Sequence, residues 1–410
     1  MLAGIRVLHI IPEYLPVTQN WIYPQVTLVP GVASAVLCNK TASATAFPLN
    51  GEPLWRRELN VPNLLATGPK PFRAVRRVVN FAAKAVASRR ARLWEPEIIH
   101  AHFGTTGWEN LSLRKALAAP LITSFYGFDA WLVPTTHPEW RGRLHELFAQ
   151  GDIFLVEGSA FRQRLVDLGC AAEKVRIQRL GIDVGRLKYR DRDFTGPLKI
   201  VMVGRFTEKK GLVDGLTACA KASANGVDLS VTIIGDALGG WDLNGQKIKH
   251  ELLDIAQSPE MSNRVHFMGQ VPHDETLRIL AAHDVFLCSS KHALSGDAEG
   301  GLPVVLIEAM GIGLLCLGSR HCDIPEAVID GTTGFLFEEG NVEQLAKLVE
   351  GISRLPECTL PIVTAARKHV EQKFNQSYVL PNLGEIYREL QSAQAVQRGS
   401  RRRSGRESRR

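Results

Sequence analysis

No run of this 410-residue chain approaches the roughly 20 consecutive apolar residues that a membrane-spanning helix needs, so no span is expected. The opening M-L-A-G-I-R-V-L-H-I-I-P passes straight into a strand-like run, and an export signal is not expected either. Cysteine is sparse and scattered: the seven residues form no C-x-x-C pair and no metal-finger spacing, which points to free thiols in a reducing cytosol. A G-x-G-x-x-G turn is missing where a dinucleotide fold would need it. Ile11-Pro12-Glu13 and Gly204-Arg205-Phe206 stand at those places, which argues against a nicotinamide oxidoreductase. Acids are missing from two segments. Between Phe72 and Leu93 there are seven Lys or Arg and no Asp or Glu, and from Arg398 to Arg410 seven arginines face one glutamate. That last balance of +6 nearly exhausts the net charge of +7, so the body of the chain is close to neutral and no nucleic-acid partner is expected.

What is present is apolar material for more than one core. A 45% hydrophobic chain of this length is expected to fold as two domains. Short β-branched runs at Ile5–Ile11, 97–100, 120–123 and 152–156 alternate with helix-like stretches such as 110–118 and 141–150. After Gly181-Ile182-Asp183 the pattern dissolves into a polar linker and then restarts, with strands expected at 198–203, 230–234, 264–267, 285–288 and 314–317 and a helix at 210–224. The expected fold class is therefore α/β, with two doubly wound Rossmann-like units facing each other and a ligand crevice between them. The expected boundaries are 1–190, 191–376, a C-terminal helix over 377–392 that crosses back to the first lobe, and a disordered basic tail from 393 to 410.

The stretch 296–310, G-D-A-E-G-G-L-P-V-V-L-I-E-A-M, is the richest in chemistry. Glu299 and Glu308 bracket Gly300, Gly301, Leu302 and Pro303. Glycine lets backbone come close to a ligand, Pro303 suits the opening of a helix, and Glu308 then sits a turn or more inside it. Carboxylates accept hydrogen bonds from paired sugar hydroxyls, and free N–H groups at a helix start favour phosphate. A sugar nucleotide carries all of these groups. After the strand at 198–203 comes Gly204-Arg205-Phe206-Thr207-Glu208-Lys209-Lys210, in which Arg205 offers a planar fork and Lys210 a compact charge to a diphosphate.

In the first half, His100 and His102 share one face of a strand end. No clustered Asp, Glu or Cys completes a metal site there, so hydrogen-bonded cleft histidines are expected and no metal or other cofactor. Tyr126 and Asp129 follow another strand. An unperturbed phenol titrates at about 10, so Tyr126 is expected to donate a hydrogen bond rather than act as a base. Thr18, Gln19 and Asn20 lie in a polar loop after the first strand, as acceptor contacts would. The basic segment places Arg73, Arg76, Arg77, Asn80 and Lys84 on one helical stripe and Val75, Val78, Val79, Ala82 and Val86 on another. Such a helix can lie on an anionic bilayer or pack with its charged face in solvent.

In this order G-R-F-x-x-x-K-G-L, I-I-G-D, V-H-F-M-G-Q-V-P-H-D-E-T-L, D-V-F-L-C-S-S, E-G-G-L-P-V-V-L-I-E-A-M and G-T-T-G-F-L-F resemble the retaining glycosyltransferases of family 4, over nearly all of residues 198–340. The resemblance implies a GT-B fold. It implies that Gly204, Arg205 and Lys210 hold the diphosphate of a nucleoside-diphosphate hexose, and that Glu308 binds the ribose. It further implies that Glu299 and the backbone of Gly300 to Pro303 orient the sugar, and that the loop at Gly269-Gln270-Val271 meets the base. Tyr126, Asp129 and His102 would join Glu299 around the reacting centre, with tyrosine standing where the family often has histidine. The N-terminal loop is similar to those of exopolysaccharide and colanic-acid-type enzymes, implying a saccharide acceptor that is polyprenyl-linked and a cytoplasmic protein on the inner face of the membrane. In the family the two glutamates are usually one residue closer than the eight-residue separation here, so the additional glycine is expected to bulge. A sugar-nucleotide epimerase or glycoside phosphorylase of the same fold, and a non-catalytic anionic-surface binder, are the alternatives.

Overall fold

The computed structural model describes residues 4–16, 19–43, 45–49, 51–58, 70–192, 194, 196–237, 244–354 and 359–407, with the side chains of 70–77 and 397–407 outside the described set. Thr18 therefore lies outside the described residues.

Each lobe is built on a parallel sheet. The first contains β1 (Ile5–Tyr14), β2 (Val32–Thr41), β3 (Leu54–Arg56), β4 (Ile98–His102), β5 (Leu121–Ser124), β6 (Ile153–Val156) and β7 (Val175–Ile177), in the order β3-β2-β1-β4-β5-β6-β7. The second contains β8 (Leu198–Val203), β9 (Leu229–Ile234), β10 (Val265–Gly269), β11 (Val285–Cys288), β12 (Leu315–Ser319) and β13 (Phe335–Phe337), in the order β10-β9-β8-β11-β12-β13. Chain order reverses between β1 and β4 and again between β8 and β11, and in such sheets ligands collect beyond the carboxyl ends of the strands at that reversal. Strands β4, β5 and β6 have no exposed residue, the continuous apolar burial that helices on both faces impose.

β1 runs three residues further than expected, through Pro12 to Tyr14. Its ladder with β4 stops at Ile10, leaving only β2 as a neighbour, and a strand with one free edge tolerates a proline. The helix expected from Lys210 begins instead at Leu212, because Gly211 takes a left-handed conformation (φ 60°) that ends a short 3-10 turn over Glu208–Lys210.

The chain passes between the lobes twice, and the two passages are bonded to each other: the Ile182 N–H donates to the Phe374 carbonyl, and the Gln376 N–H to the Ile182 carbonyl. Ile182, Val184 and Leu187 already pack with Val370 and Phe374 in the second lobe's core, so the first passage lies nearer 182 than 190. The last helix, Gln376–Glu407, buries Leu380, Leu383 and Tyr387 against Ile5, Val7, Ile98 and Ile122 of the first lobe. It continues to Glu407, so the tail expected to be disordered from 393 is helical backbone over most of its length. Alanine, glutamine and arginine extend a helix readily once packed turns have nucleated it.

The basic helix spans Lys70–Leu93, and its packing corrects the expected stripe. Ala87 and Ala91 are its buried residues, while Val78, Phe81 and Val86 project into solvent, Phe81 with 76% of its surface exposed. Among the described residues, the helix rests on its smallest side chains and presents its larger apolar ones outward.

Candidate active site at the lobe seam

The segments that follow β5, β6, β11 and β12 meet at one seam. Gly127, at φ 111°, lies so close to the 299–300 peptide that a Cβ on it would fall 2.3 Å from the Glu299 carbonyl oxygen. Gly300, at φ 83°, faces it, and a Cβ there would be 2.3 Å from the Gly127 Cα. Two glycines back to back thus let the first lobe's 126–129 loop touch the second lobe's 299–303 loop. The neighbouring Gly301 has a similar constraint, since its Cβ would lie 2.2 Å from the Glu157 carboxylate, which accepts the Leu302 N–H at 3.0 Å. Both glycines of the expected bulge are held in place, one by backbone conformation and one by a carboxylate from across the seam. A reciprocal contact lies alongside: Asp323 accepts the N–H groups of Ala160 and Phe161 at 2.9 and 3.3 Å, and Glu326 accepts that of Ser159 at 2.6 Å. These three N–H groups open the Ser159–Asp167 helix, so second-lobe carboxylates cap a first-lobe helix.

On the second lobe, Lys210 Nζ reaches Glu299 Oε2 at 2.8 Å, and Lys209, buried, reaches Asp297 at 3.1 Å and the Ala298 carbonyl at 3.1 Å. Burial pushes the Glu299 carboxyl up, but the Lys210 and Lys209 charges prevail and hold it at about 2. Its other oxygen, Oε1, is buried with no hydrogen-bond partner among the described residues. The Lys210 stem lies over Gly204, 3.1 Å from where a Cβ would be. Arg205 is exposed, and its guanidinium has no carboxylate partner among the described residues. Pro303 precedes the Val304–Ile312 helix, in which Glu308 is buried and meets His273 Nε2 at 2.7 Å. That hydrogen bond raises the His273 pKa above its usual value. Val271 is partly buried against the same core, after the Gly269 carbonyl has accepted the Gly235 N–H.

The first lobe brings a different chemistry. Tyr126 OH is 2.8 Å from His102 Nδ1, and His102 Nε2 is 3.1 Å from His9 Nδ1. His100 bonds Tyr387 of the last helix at 2.7 Å and Ser124 at 2.7 Å. All three histidines are fully buried, and burial lowers each of them, His9 to about 3, so the network is neutral. Burial also raises the Tyr126 phenol. Asp129, pushed up by burial to about 6, accepts the Gly104 N–H at 2.7 Å and the Tyr126 N–H at 3.1 Å and so ties its own loop down. The N-terminal loop reaches this place through Trp21, whose ring is 6.0 Å from that of Tyr126, with Gln19 and Asn20 partly exposed just before it.

Glu299, Lys210, Gly300, Gly301, Leu302, Tyr126 and Asp129 are thereby drawn to one seam, with Arg205 and Glu308 at the second lobe's rim. His102 lies behind Tyr126 rather than beside the crevice. One ring nitrogen from each of the three histidines lies within 4.8 Å of the others, a spacing that can hold a metal ion, and both nitrogens of His100 and of His102 meet a polar neighbour: Tyr387 and Ser124 for His100, Tyr126 and His9 for His102.

The pattern of the family described as Glycosyl transferases group 1 matches residues 188–369, and that of Glycosyltransferase Family 4 matches residues 36–186. The amylovoran biosynthesis glycosyltransferase AmsK of Erwinia amylovora is 33% identical over 311 residues, covering 75% of this chain and 73% of that protein. The chain belongs to the family 4 glycosyltransferases. A putative colanic acid biosynthesis glycosyltransferase, WcaL of Salmonella typhimurium, is 31% identical to this transferase over 314 residues, covering 75% of this chain and 74% of its own. In structure the transferase is similar to Anabaena HepE in complex with UDP (TM-score 0.75, 18% identity, 94% of this chain and 100% of that one), which establishes the GT-B fold.

Glu157, His273, His321 and Glu339 escape a reading of the sequence. Glu157 directly follows β6 and His321 lies two residues beyond β12, so the rule that ligands gather at the carboxyl ends of parallel strands would have singled them out. His273 stands inside the quoted V-P-H-D-E-T-L motif, but its link to Glu308 is a tertiary contact with no signature in spacing.

Proposed function

We propose that this glycosyltransferase moves a hexose from a nucleoside-diphosphate sugar to a polyprenyl-linked saccharide with retention at the anomeric carbon, in cell-surface polysaccharide assembly. The observation that carries the donor reading is the half-buried Lys210–Glu299 pair, with one oxygen of Glu299 unpartnered and, on the same loop as Lys210, Arg205 without a carboxylate partner among the described residues. In this reading Glu299 Oε1 receives a sugar hydroxyl, Glu308 the ribose hydroxyls, and Arg205 and Lys210 the diphosphate. They supply positive charge where the leaving group gains negative charge, in place of a metal ion.

Retention fits a first lobe whose histidines are neutral and whose Asp129 carboxylate is engaged by its own loop. A general base at the acceptor would need a group able to take a proton near neutral pH. Burial makes His102 a poor proton acceptor, the Tyr126 phenol is raised, and Asp129 is tied by two N–H groups. We therefore assign the proton to the leaving diphosphate: the C1–O bond to phosphate breaks, the acceptor oxygen bonds C1 on the same face, and its proton passes to the departing phosphate oxygen. Tyr126 contributes a hydrogen bond and His102 positions Tyr126. Among the described residues no helix is long and apolar enough to cross a membrane. The outward Val78, Phe81 and Val86 of the Lys70–Leu93 helix, interleaved with Lys84, Arg89 and Arg90, suit the surface of an anionic bilayer, where a lipid-linked acceptor is found.

One experiment tests the whole reading. The chain is incubated with a panel of UDP-, GDP- and ADP-hexoses, with and without polyprenyl-linked saccharide in anionic vesicles, and the product's anomeric configuration is read by NMR. An α-linked product from an α-linked donor, formed only with acceptor and faster on vesicles, is the expected result. Donor turnover without acceptor identifies an epimerase instead, and no thermal stabilisation by any donor sinks the transferase site.

A further inference from the structure

His321, fully buried, sits between the main chain of Glu299 and the side chain of Glu339. The Glu299 N–H donates to His321 Nε2 at 3.2 Å, and a ring nitrogen that accepts cannot carry the proton. The proton is therefore on Nδ1, which donates to Glu339 Oε1 at 2.7 Å. Glu339 is fixed in turn: the His292 N–H donates to its Oε2 at 2.9 Å, and His292 Nδ1 lies 3.0 Å from the same oxygen. Burial works against the Glu339 charge, but these bonds from His321 and His292 hold its carboxyl down to about 2.

We propose that Glu339 and His321 act as a positioning relay for Glu299, setting the backbone from which its carboxylate reaches the donor sugar. The inference rests on the donor-site reading above. Lys210 restrains the Glu299 side chain at one end and His321 restrains its main chain at the other, so the free oxygen Oε1 has a fixed direction. An imidazole held in one tautomer by a carboxylate does this better than a water or hydroxyl, because the carboxylate fixes both the ring's orientation and its proton; the Cys322 Sγ lies 3.3 Å from the same Nε2. Neither residue touches the phosphate-facing or ribose-facing groups, so the relay acts on the sugar end alone.

The test measures kcat and donor KM for the full chain with whichever nucleotide sugar the wild type turns over. His321→Ala is expected to lower kcat about 10²-fold, the cost of a misplacement on the scale of an ångström, with donor KM within about threefold of wild type. His321→Gln, whose amide accepts at one end and donates at the other, is expected to recover about tenfold of that loss. Should His321→Ala unfold the lobe, Glu339→Gln keeps an acceptor for His321 Nδ1 while removing the charge, and is expected to lower kcat by about threefold to tenfold at unchanged KM. Binding of the matching nucleoside diphosphate, followed by calorimetry, is expected to be unaffected in all three. A merely structural histidine would lower melting temperature and both kinetic parameters together, without rescue by glutamine, and would overturn the relay. Unimpaired kcat in His321→Ala beside an active wild type sinks the relay alone, whereas a wild type that turns over no nucleotide sugar sinks the donor reading beneath it.

Discussion

Where the second lobe offers the crevice Lys209, Lys210, Glu299 and Arg205, the first offers Tyr126, Trp21 and, behind them, three histidines that burial keeps neutral. Charge on one side and neutral hydrogen-bonding groups on the other is the division expected if one lobe handles an anionic leaving group and the other an uncharged sugar. The supports differ as well. Lys210 and Glu299, 89 positions apart in the chain, neutralise each other through one direct contact at 2.8 Å, whereas Tyr126 is steadied through His102 and His9, with His100 beside them bonded to the far C-terminal helix. A single direct pair should fail abruptly when one member is lost, and a distributed network gradually.

The largest effect is therefore expected at Lys210. Lys210→Ala removes a cation aimed at the leaving diphosphate, which should cost about 10²–10³-fold in turnover. It also strands a buried carboxylate, and leaving one partner of a buried pair alone costs about 3–5 kcal/mol. Adding Glu299→Gln to Lys210→Ala should restore the melting temperature without restoring turnover. If both losses persist together, or both are repaired together, charge pairing is not what distinguishes this lobe.

The contact between the halves can be tested with less disruption. Gly127→Ala places a methyl group 2.3 Å from the Glu299 carbonyl at φ 111°, so the two loops must part. Turnover should fall about tenfold to a hundredfold, since catalysis depends on sub-ångström placement of groups from both lobes. Gly142→Ala, in the Glu139–Gln150 helix with nothing within 4 Å of its added Cβ, is the control and should leave turnover unchanged. Equal behaviour of the two would mean that the lobes need not meet here for catalysis.

The two lobes also differ in how far the sequence exposes them. Strands such as Leu198–Val203, interrupted only at Lys199, and Val285–Cys288 are visible to the residue because buried parallel strands read as near-continuous apolar runs. The donor residues are visible because they sit in two short motifs whose spacing reflects a strand, a turn and a helix start. In the first lobe, β2 (Val32–Thr41) contains Ser34, Asn39 and Lys40 and carries no such signature. The histidine network joins His9, His100 and Tyr387, and the last two, 287 positions apart, carry no record in the sequence of their hydrogen bond. For the same reason the apolar stripe of the Lys70–Leu93 helix misleads: helical periodicity identifies a face but does not say whether protein or solvent lies against it.

The smallest expected effect concerns Glu157, a first-lobe carboxylate set among second-lobe charges. Burial, with Asp323, Glu299 and Asp129 nearby, raises it to about 8 despite the hydrogen bond from Leu302. A carboxyl raised on folding contributes stability that is complete below its unfolded value near 4.5 and is lost as pH climbs through its folded value. Glu157→Gln stays neutral and can still accept the Leu302 N–H. The melting temperature of Glu157→Gln relative to wild type should therefore rise between pH 5 and pH 9, by about 1–3 °C for a protein of this size. Asp323, raised by burial to about 7, titrates over the same range and is coupled to Glu157, so the comparison is made in an Asp323→Asn background. A difference that stays flat across this range would mean that Glu157 is ionised at neutral pH, and that the seam tolerates charge from the first lobe as readily as from the second.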